Sequence, residues 1–162
     1  MKLTAGDYTS TQTFTVKEDP RITADGITTA DLQEQFNHNM QVLGLVSEVN
    51  KSVARIKVAR AKLAGDPDKL AKLNALASHM ITPTTRYSKP ELQTHITYLY
   101  SMTTATDQKI GHDAVERYDT LKKEFDQRNA ELKAILGDQF ADLGNALFPG
   151  DVTAVLADDD NQ

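Results

Sequence analysis

Residues 29–64 read TADLQEQFNHNMQVLGLVSEVNKSVARIKVARAKLA, a long stretch with no proline and a single glycine, Gly44. Apolar residues recur in it at the spacing of one helix face. One series is spaced by seven and a second lies between its members: Val42, Val49, Ile56 and Leu63, then Val46 and Val53. The pattern predicts one long helix that packs against other helices, because burial of the apolar face supplies most of a helix's stability.

The residues that follow predict shorter helices that cover this face. Asp66-Pro67-Asp68 provides a capping acid and a proline at the first helical position, and Pro83 ends that second helix after Ile81. Ser88-Lys89-Pro90-Glu91 has the spacing of a capping box, so a third helix is expected to begin near Lys89.

A fourth helix is predicted over residues 112–136, where Tyr118, Phe125 and Leu132 are seven residues apart. The stretch DQFADLGNALF, residues 138–148, predicts a short fifth helix. Because the connections are short, neighbouring helices should be antiparallel. The expected fold is all-α: an up-and-down antiparallel bundle of four to five helices with one long first helix, preceded by a short β strand or hairpin.

The N-terminal segment differs from the rest. Residues 8–16, YTSTQTFTV, alternate between two faces and are rich in β-branched residues, which predicts a strand. A lone strand or weak hairpin is marginal without a sheet to join. It could pair with a second copy, lie along the bundle, or end an upstream domain. A mobile N-terminal arm is the fourth interpretation.

Composition limits the function classes. The chain has 162 residues, no cysteine and a net charge of −5, so it forms one domain without disulfides or thiolate ligands, and wholesale binding to nucleic acid is disfavoured. The basic end of the long helix suits the helix dipole better than it suits a phosphate-binding face. No run is long and apolar enough for a membrane span, and the start MKLTAGDY lacks the apolar region of a signal peptide.

Candidates for chemistry are few. Three histidines lie four residues from an acid, in the pairs Glu34/His38, Glu91/His95 and His112/Glu116. If they converged, His38, His95 and His112 would make a metal-dependent bundle enzyme, a remote alternative. The Glu-x-x-His pairs of two-metal bundles are absent, so we interpret these pairs as ordinary exposed contacts between helix neighbours. No phosphate loop, dinucleotide fingerprint or nucleophile turn occurs, and we assign no catalytic, cofactor or metal residue.

Two motifs near the N-terminus resemble a known group of proteins. TAGDYTSTQTFTVKEDPRI and the following TTADLQEQ are similar to the C-terminal region of large bacterial proteins with BNR-repeat or sortilin-like β-propellers, often labelled glycosyl hydrolases. There a G-x-Y-T strand and a T-Q-x-F-x-V-x-x-DPR strand close a small β-sandwich, and ADLQ-x-Q begins a terminal helical bundle. The matching residues are Gly6, Tyr8, Thr9, Thr11, Gln12, Phe14, Val16, Asp19, Pro20, Arg21, Ala30, Asp31, Leu32, Gln33 and Gln35.

The resemblance implies a non-catalytic accessory or interaction module of a periplasmic or extracellular parent. The loop between the two β motifs is nearly missing here, and the propeller, with any catalytic acids that it has, is missing from this sequence. The implied divisions are a β remnant and linker over 1–21, a helical bundle over 22–150 and an acidic flexible tail over 151–162. Asp19, Pro20 and Arg21 are the expected inter-domain hinge, and the partner is an upstream domain or another protein. An independent helical adaptor or a self-associating domain is the alternative.

Overall fold

The computed structural model describes residues 1–147, apart from the side chain of Asn145. The chain forms a two-stranded hairpin and then six helices over this range. In order these are β1 (Lys2–Ala5), β2 (Tyr8–Thr11), α1 (Pro20–Ala24), α2 (Thr29–Lys62), α3 (Pro67–Met80), α4 (Leu92–Thr104), α5 (His112–Leu136) and α6 (Gln139–Leu147). The predicted fold class, a helical bundle preceded by a short β element, is confirmed. The described residues form six helices instead of four to five, and the long helix, α2, is the second because the short helix α1 precedes it.

Helix α2 is the rod on which the other helices pack. It begins with a capping box in which the Thr28 hydroxyl accepts from the backbone of Asp31 and the Asp31 carboxylate accepts from the backbone of Thr28. Thr28 is therefore the N-cap of the long helix. The predicted seam is also present: Val42, Val49, Ile56 and Leu63 are all buried.

Cross-helix contacts fix the direction of each neighbour. Helix α4 runs antiparallel to α2, since Gln35 bonds the carbonyl of Thr103 while Asn50 accepts from Gln93. Helix α5 runs parallel to α2, since His38 contacts the ring of Tyr118 and Ser52 bonds Asn129. Helices α3 and α4 follow one another along α2, and α6 packs beside α2 and α5.

The core lies between these helices and is almost wholly apolar. The largest fully buried side chains come from α2, α3, α4, α5 and α6 alike: Ile56, Leu73, Met80, Leu92, Ile96, Leu121, Leu132 and Leu143. Each such side chain removed from water contributes about 1.5–3 kcal/mol before entropy is counted. Within residues 1–147 no helix is long and apolar enough to cross a membrane.

The N-terminal strand prediction is wrong in extent. Strand β2 ends at Thr11, and the last backbone pair of the hairpin joins Gln12 to Met1. Residues 13–19 are irregular instead of continuing a strand to Val16. The partner strand is β1, joined to β2 through Gly6-Asp7. Gly6 has φ +58°, as a type II′ turn requires at its first central position, so only this short register closes a tight hairpin.

The predicted capping box before α4 is also wrong. The Ser88 hydroxyl bonds Thr85, and the helix begins at Leu92 instead of near Lys89. The backbone N–H of Glu91 donates instead to the hydroxyl of Thr82 at 2.9 Å. The Ser-x-x-Glu spacing is therefore present without the hydrogen bonds of a capping box. The reason is that the loop before α4 brings the backbone of Glu91 back to the side chain of Thr82 before the helix starts.

Short helix α1 lies across the division expected between residues 21 and 22. The Thr29 hydroxyl donates to Glu18 and so ties the end of the linker to the start of α2. The predicted acidic tail, residues 151–162, and residue 148, the last of the predicted fifth helix, lie outside the described residues.

Candidate functional site

A cleft of about 450 Å³ opens between α4 and the first turns of α5, and is here named the α4–α5 cleft. Its volume is within the range of small-molecule sites. Buried apolar side chains form its floor, and exposed aromatic and thioether side chains form its rim. The lining residues are His95, Tyr98, Leu99, Met102, Thr103, Gln108, Ile110, Gly111, Asp113, Ala114 and Arg117.

The end wall of the cleft is the segment 105–111, which a buried glutamine holds in place. Gln35 is 6% exposed, and its amide nitrogen donates to the carbonyls of Thr103 at 2.8 Å and Thr106 at 2.7 Å. Its amide oxygen accepts from the backbone N–H of Gln108 at 3.2 Å. One side chain of α2 thus satisfies three backbone groups more than sixty residues away, so the wall is built before any ligand binds.

Two opposite charges stand one helical turn apart on the α5 side of the cleft. Asp113 and Arg117 both line it and both are exposed. Within the described chain neither side chain makes a hydrogen bond or an ion pair, with the other or with any third residue. Opposite charges at this spacing commonly pair on a helix surface. Here both remain available to a ligand.

The floor and rim are apolar. Leu99 and Ile110 are each 7% exposed and form the bottom, where Ala114 leaves room because its side chain is small. Tyr98 and Met102 are largely exposed at the mouth. Large exposed apolar side chains beside a cavity are typical of a binding surface.

The expectation that His38 would be an exposed helix neighbour of Glu34 is wrong. His38 is 6% exposed and packs edge-on against Tyr118, with ring centroids 5.9 Å apart. Its Nε2 is buried and has no hydrogen-bond partner within residues 1–147. Burial lowers the pKa of His38, and the nearby charges of Asp119 and Glu34 oppose that effect only in part.

The other two histidine pairs are separate from this one. His112 contacts Glu116 at 3.2 Å on the exposed surface of α5, as expected for an i,i+4 pair. Glu91 precedes the first turn of α4, while His95 lines the cleft. Residues 1–147 contain no group of three or more His, Cys, Asp or Glu side chains placed to hold a metal ion.

The expected hinge residues lie at the N-terminus of α1. Asp19 caps that helix by accepting from the backbone of Arg21, and the guanidinium of Arg21 bonds the same carboxylate, with Nη2 to Oδ2 at 2.6 Å. This side-chain hydrogen bond is the main reason why the pKa of Asp19 is lowered. The guanidinium of Arg21 thus makes a local contact with Asp19.

Sequence reasoning did not identify the α4–α5 cleft. Asp113 and Arg117 appear in the sequence as ordinary charges of a solvated helix, and Gln35 as one polar residue among several near the start of α2. The one available signal was Gln35 itself, a polar residue seven before Val42 and therefore on the buried seam.

Comparison of the chain with protein-family models, with curated proteins and with solved structures finds no match. A function is therefore inferred from the geometry of its own residues and from the motifs of its N-terminal segment.

Proposed function

We propose that this chain is a non-catalytic interaction module, the terminal helical part of a larger extracytoplasmic protein of the β-propeller class that its sequence resembles. The observation that carries the proposal is the N-terminal hairpin. It packs against none of the helices of residues 1–147, and the side chains of Met1, Leu3 and Tyr8 on one of its faces are exposed. Two strands alone are marginally stable in water, so such a hairpin gains most by joining a further sheet.

The register identifies which backbone groups are available for such pairing. Met1 and Gln12 exchange two hydrogen bonds, at 2.8 and 3.0 Å, so every second pair inward is also hydrogen-bonded. Lys2, Thr4, Thr9 and Thr11 belong to the alternate pairs, and their N–H and C=O groups point away from the hairpin. The outer edge of β2 is uncharged and carries no proline, and an edge of that kind readily pairs with another strand.

The linker suits a module that is joined to a neighbouring domain. Residues 12–18 are irregular and exposed, and the chain becomes ordered again where Asp19 caps α1 and Glu18 contacts Thr29. In the proposed arrangement the hairpin completes the neighbouring sheet and Asp19-Pro20-Arg21 sets the angle at which the bundle leaves it.

A second candidate function, self-association, is favoured by the uncharged β2 edge. Two copies can pair β2 with β2 across a two-fold axis without bringing like charges together, because β2 contains no charged residue, whereas β1 carries Lys2. The product would be a four-stranded sheet between two bundles.

The reading frame and light scattering distinguish the two candidates. The accessory-module proposal predicts an in-frame β-rich domain encoded upstream of residue 1 and a monomer when the 162-residue chain is studied alone. A free-standing reading frame that starts at Met1 would contradict it. If the chain is a dimer, Thr9→Pro, which removes an outward N–H of β2, should dissociate it, and Thr4→Pro, which removes the equivalent group of β1, should not.

A further inference from the structure

The unpaired charges of the α4–α5 cleft point to a ligand that carries both signs. Asp113 and Arg117 line the same cavity from consecutive turns of α5. Within residues 1–147 neither has a bonding partner. A ligand with only a negative charge would be attracted by the guanidinium of Arg117 and repelled by the neighbouring carboxylate of Asp113. A ligand with only a positive charge would be attracted by the carboxylate and repelled by the guanidinium. A zwitterion places each of its charges against the opposite one.

We propose that the α4–α5 cleft binds a free α-amino acid with an apolar side chain. The Arg117 guanidinium donates two parallel hydrogen bonds to the ligand carboxylate, the geometry that arginine provides and lysine does not. The Asp113 carboxylate accepts hydrogen bonds from the ligand ammonium group. The two ligand groups are held on one carbon atom, and the two protein groups are held one helical turn apart.

The apolar lining determines the class of side chain. Beyond the charged pair, the floor is formed by Leu99 and Ile110, and the small Ala114 leaves open volume above it. Met102 at the mouth is unbranched and adapts to different shapes. A branched aliphatic or thioether side chain that enters this space removes its own surface and that of Met102 from water. A polar amino acid gains no such burial.

The cleft is formed in advance of binding. Gln35 fixes the wall at Thr103, Thr106 and Gln108, and Lys109 lies 3.7 Å from Asp31 at the start of α2. A wall that is already ordered adds little conformational cost to binding. Because both charges are exposed, the affinity is expected to be modest. This inference concerns a different surface from the hairpin, and the accessory role can fail without affecting it.

The test is a titration of the full 162-residue chain with L-leucine, followed by NMR of backbone amides. We expect saturable shifts confined to residues that line the cleft. Two analogues separate the charges: 4-methylpentanoate lacks the ammonium group, and 3-methylbutylamine lacks the carboxylate. Both should bind about tenfold more weakly than L-leucine, and glycine, which lacks the apolar side chain, should also bind more weakly.

Variants assign the contacts to residues. Arg117→Gln should weaken L-leucine at least about tenfold. Asp113→Asn should weaken L-leucine by a similar factor yet leave 4-methylpentanoate unchanged or bound more tightly, a result that general damage to the fold would not produce. Lys123→Gln removes a charge from an exposed position of α5 outside the cleft and serves as the matched control.

Three results would overturn the proposal. They are the absence of saturable shifts at millimolar L-leucine, binding of 4-methylpentanoate as tight as that of L-leucine, and an Arg117→Gln variant with unchanged affinity. Each variant should keep the amide spectrum of the folded bundle, because Asp113 and Arg117 make no contact on which the described fold depends.

Discussion

At the scale of single residues, two buried polar side chains of α2 have opposite consequences. Gln35 is fully satisfied and organises a loop, whereas His38 is buried with one ring nitrogen unpaired. Both lie near the N-terminal end of α2, three residues apart, and face different neighbours: α4 and its following loop for Gln35, and α5 for His38. The first stabilises the fold at every pH, and the second makes stability depend on pH.

His38 predicts a loss of stability on mild acidification. Burial lowers its folded-state pKa, so the unfolded chain binds a proton more readily. The stability present above about pH 6.5, the unfolded value, therefore falls as pH decreases toward the folded pKa. Denaturant unfolding from pH 7.5 to 5 should show this slope in the wild-type chain and a flatter one in His38→Gln. His112→Gln, an exposed control, should keep the wild-type slope, and equal slopes in all three would contradict the assignment.

Substitution of Gln35 should lower the stability of the fold strongly, although its side chain is polar. Gln35→Leu leaves the carbonyl of Thr106 and the N–H of Gln108 without their partner, and should lower the free energy of unfolding by about 2–4 kcal/mol. Gln33→Leu, two positions earlier and exposed, should change it by about 0.5 kcal/mol or less. Similar losses in the two variants, measured by urea denaturation, would show that the loop does not depend on Gln35.

At the scale of elements, periodicity predicted α2 to α6 and both ends of α5, but it missed the short helix α1, the start of α4 and the extent of β2. The apolar residues of α2 and α5 recur at helical spacing because one face of each helix is buried, so the spacing alone identifies both helices. The start of α4 and the extent of β2 depend on contacts with distant residues: Thr82 reaches the N–H of Glu91, and Met1 pairs with Gln12. Local motifs such as Ser88-Lys89-Pro90-Glu91 do not contain that information.

The start of α4 provides a prediction at this scale. Thr82→Val removes the hydroxyl that accepts from Glu91 and contacts the Thr94 hydroxyl at 2.7 Å, so the free energy of unfolding should fall by about 1 kcal/mol. Ser88→Ala should cost less than about 0.5 kcal/mol, since Ser88 bonds only within its exposed turn. If denaturant unfolding showed a larger loss of stability for Ser88→Ala than for Thr82→Val, the capping box predicted from the sequence would be supported instead.

At the scale of the whole molecule, the chain consists of a helical bundle with its own core and a hairpin that this core does not cover. The sequence predicts the hairpin better than it predicts the cleft. The alternation of β-branched residues indicates a strand at the N-terminus, whereas the cleft forms only where α4 packs against α5. Spacing within one helix cannot report which residues of another helix it faces.

Arg21 tests how the two parts are joined. Its guanidinium contacts Asp19 and no residue of α2 to α6 within the described chain, so Arg21→Ala should leave the unfolding midpoint of the bundle unchanged. If the hinge role is correct, the distribution of distances between spin labels on the hairpin and on α5 should broaden. The control is Arg86→Ala, because Arg86 is also exposed but lies over the ring of Tyr87, away from the hinge. This variant should leave the distance distribution unchanged.

Hydrogen–deuterium exchange of the hairpin amides tests the accessory role most directly. In the 162-residue chain alone, the amides of Thr9 and Thr11 should exchange at nearly the rate of an unfolded peptide, while those of Val42 to Ala59 in α2 are strongly protected. In the longer protein that contains the upstream domain, Thr9 and Thr11 should become protected by strand pairing. Equal, fast exchange of these two amides in both proteins would contradict the account.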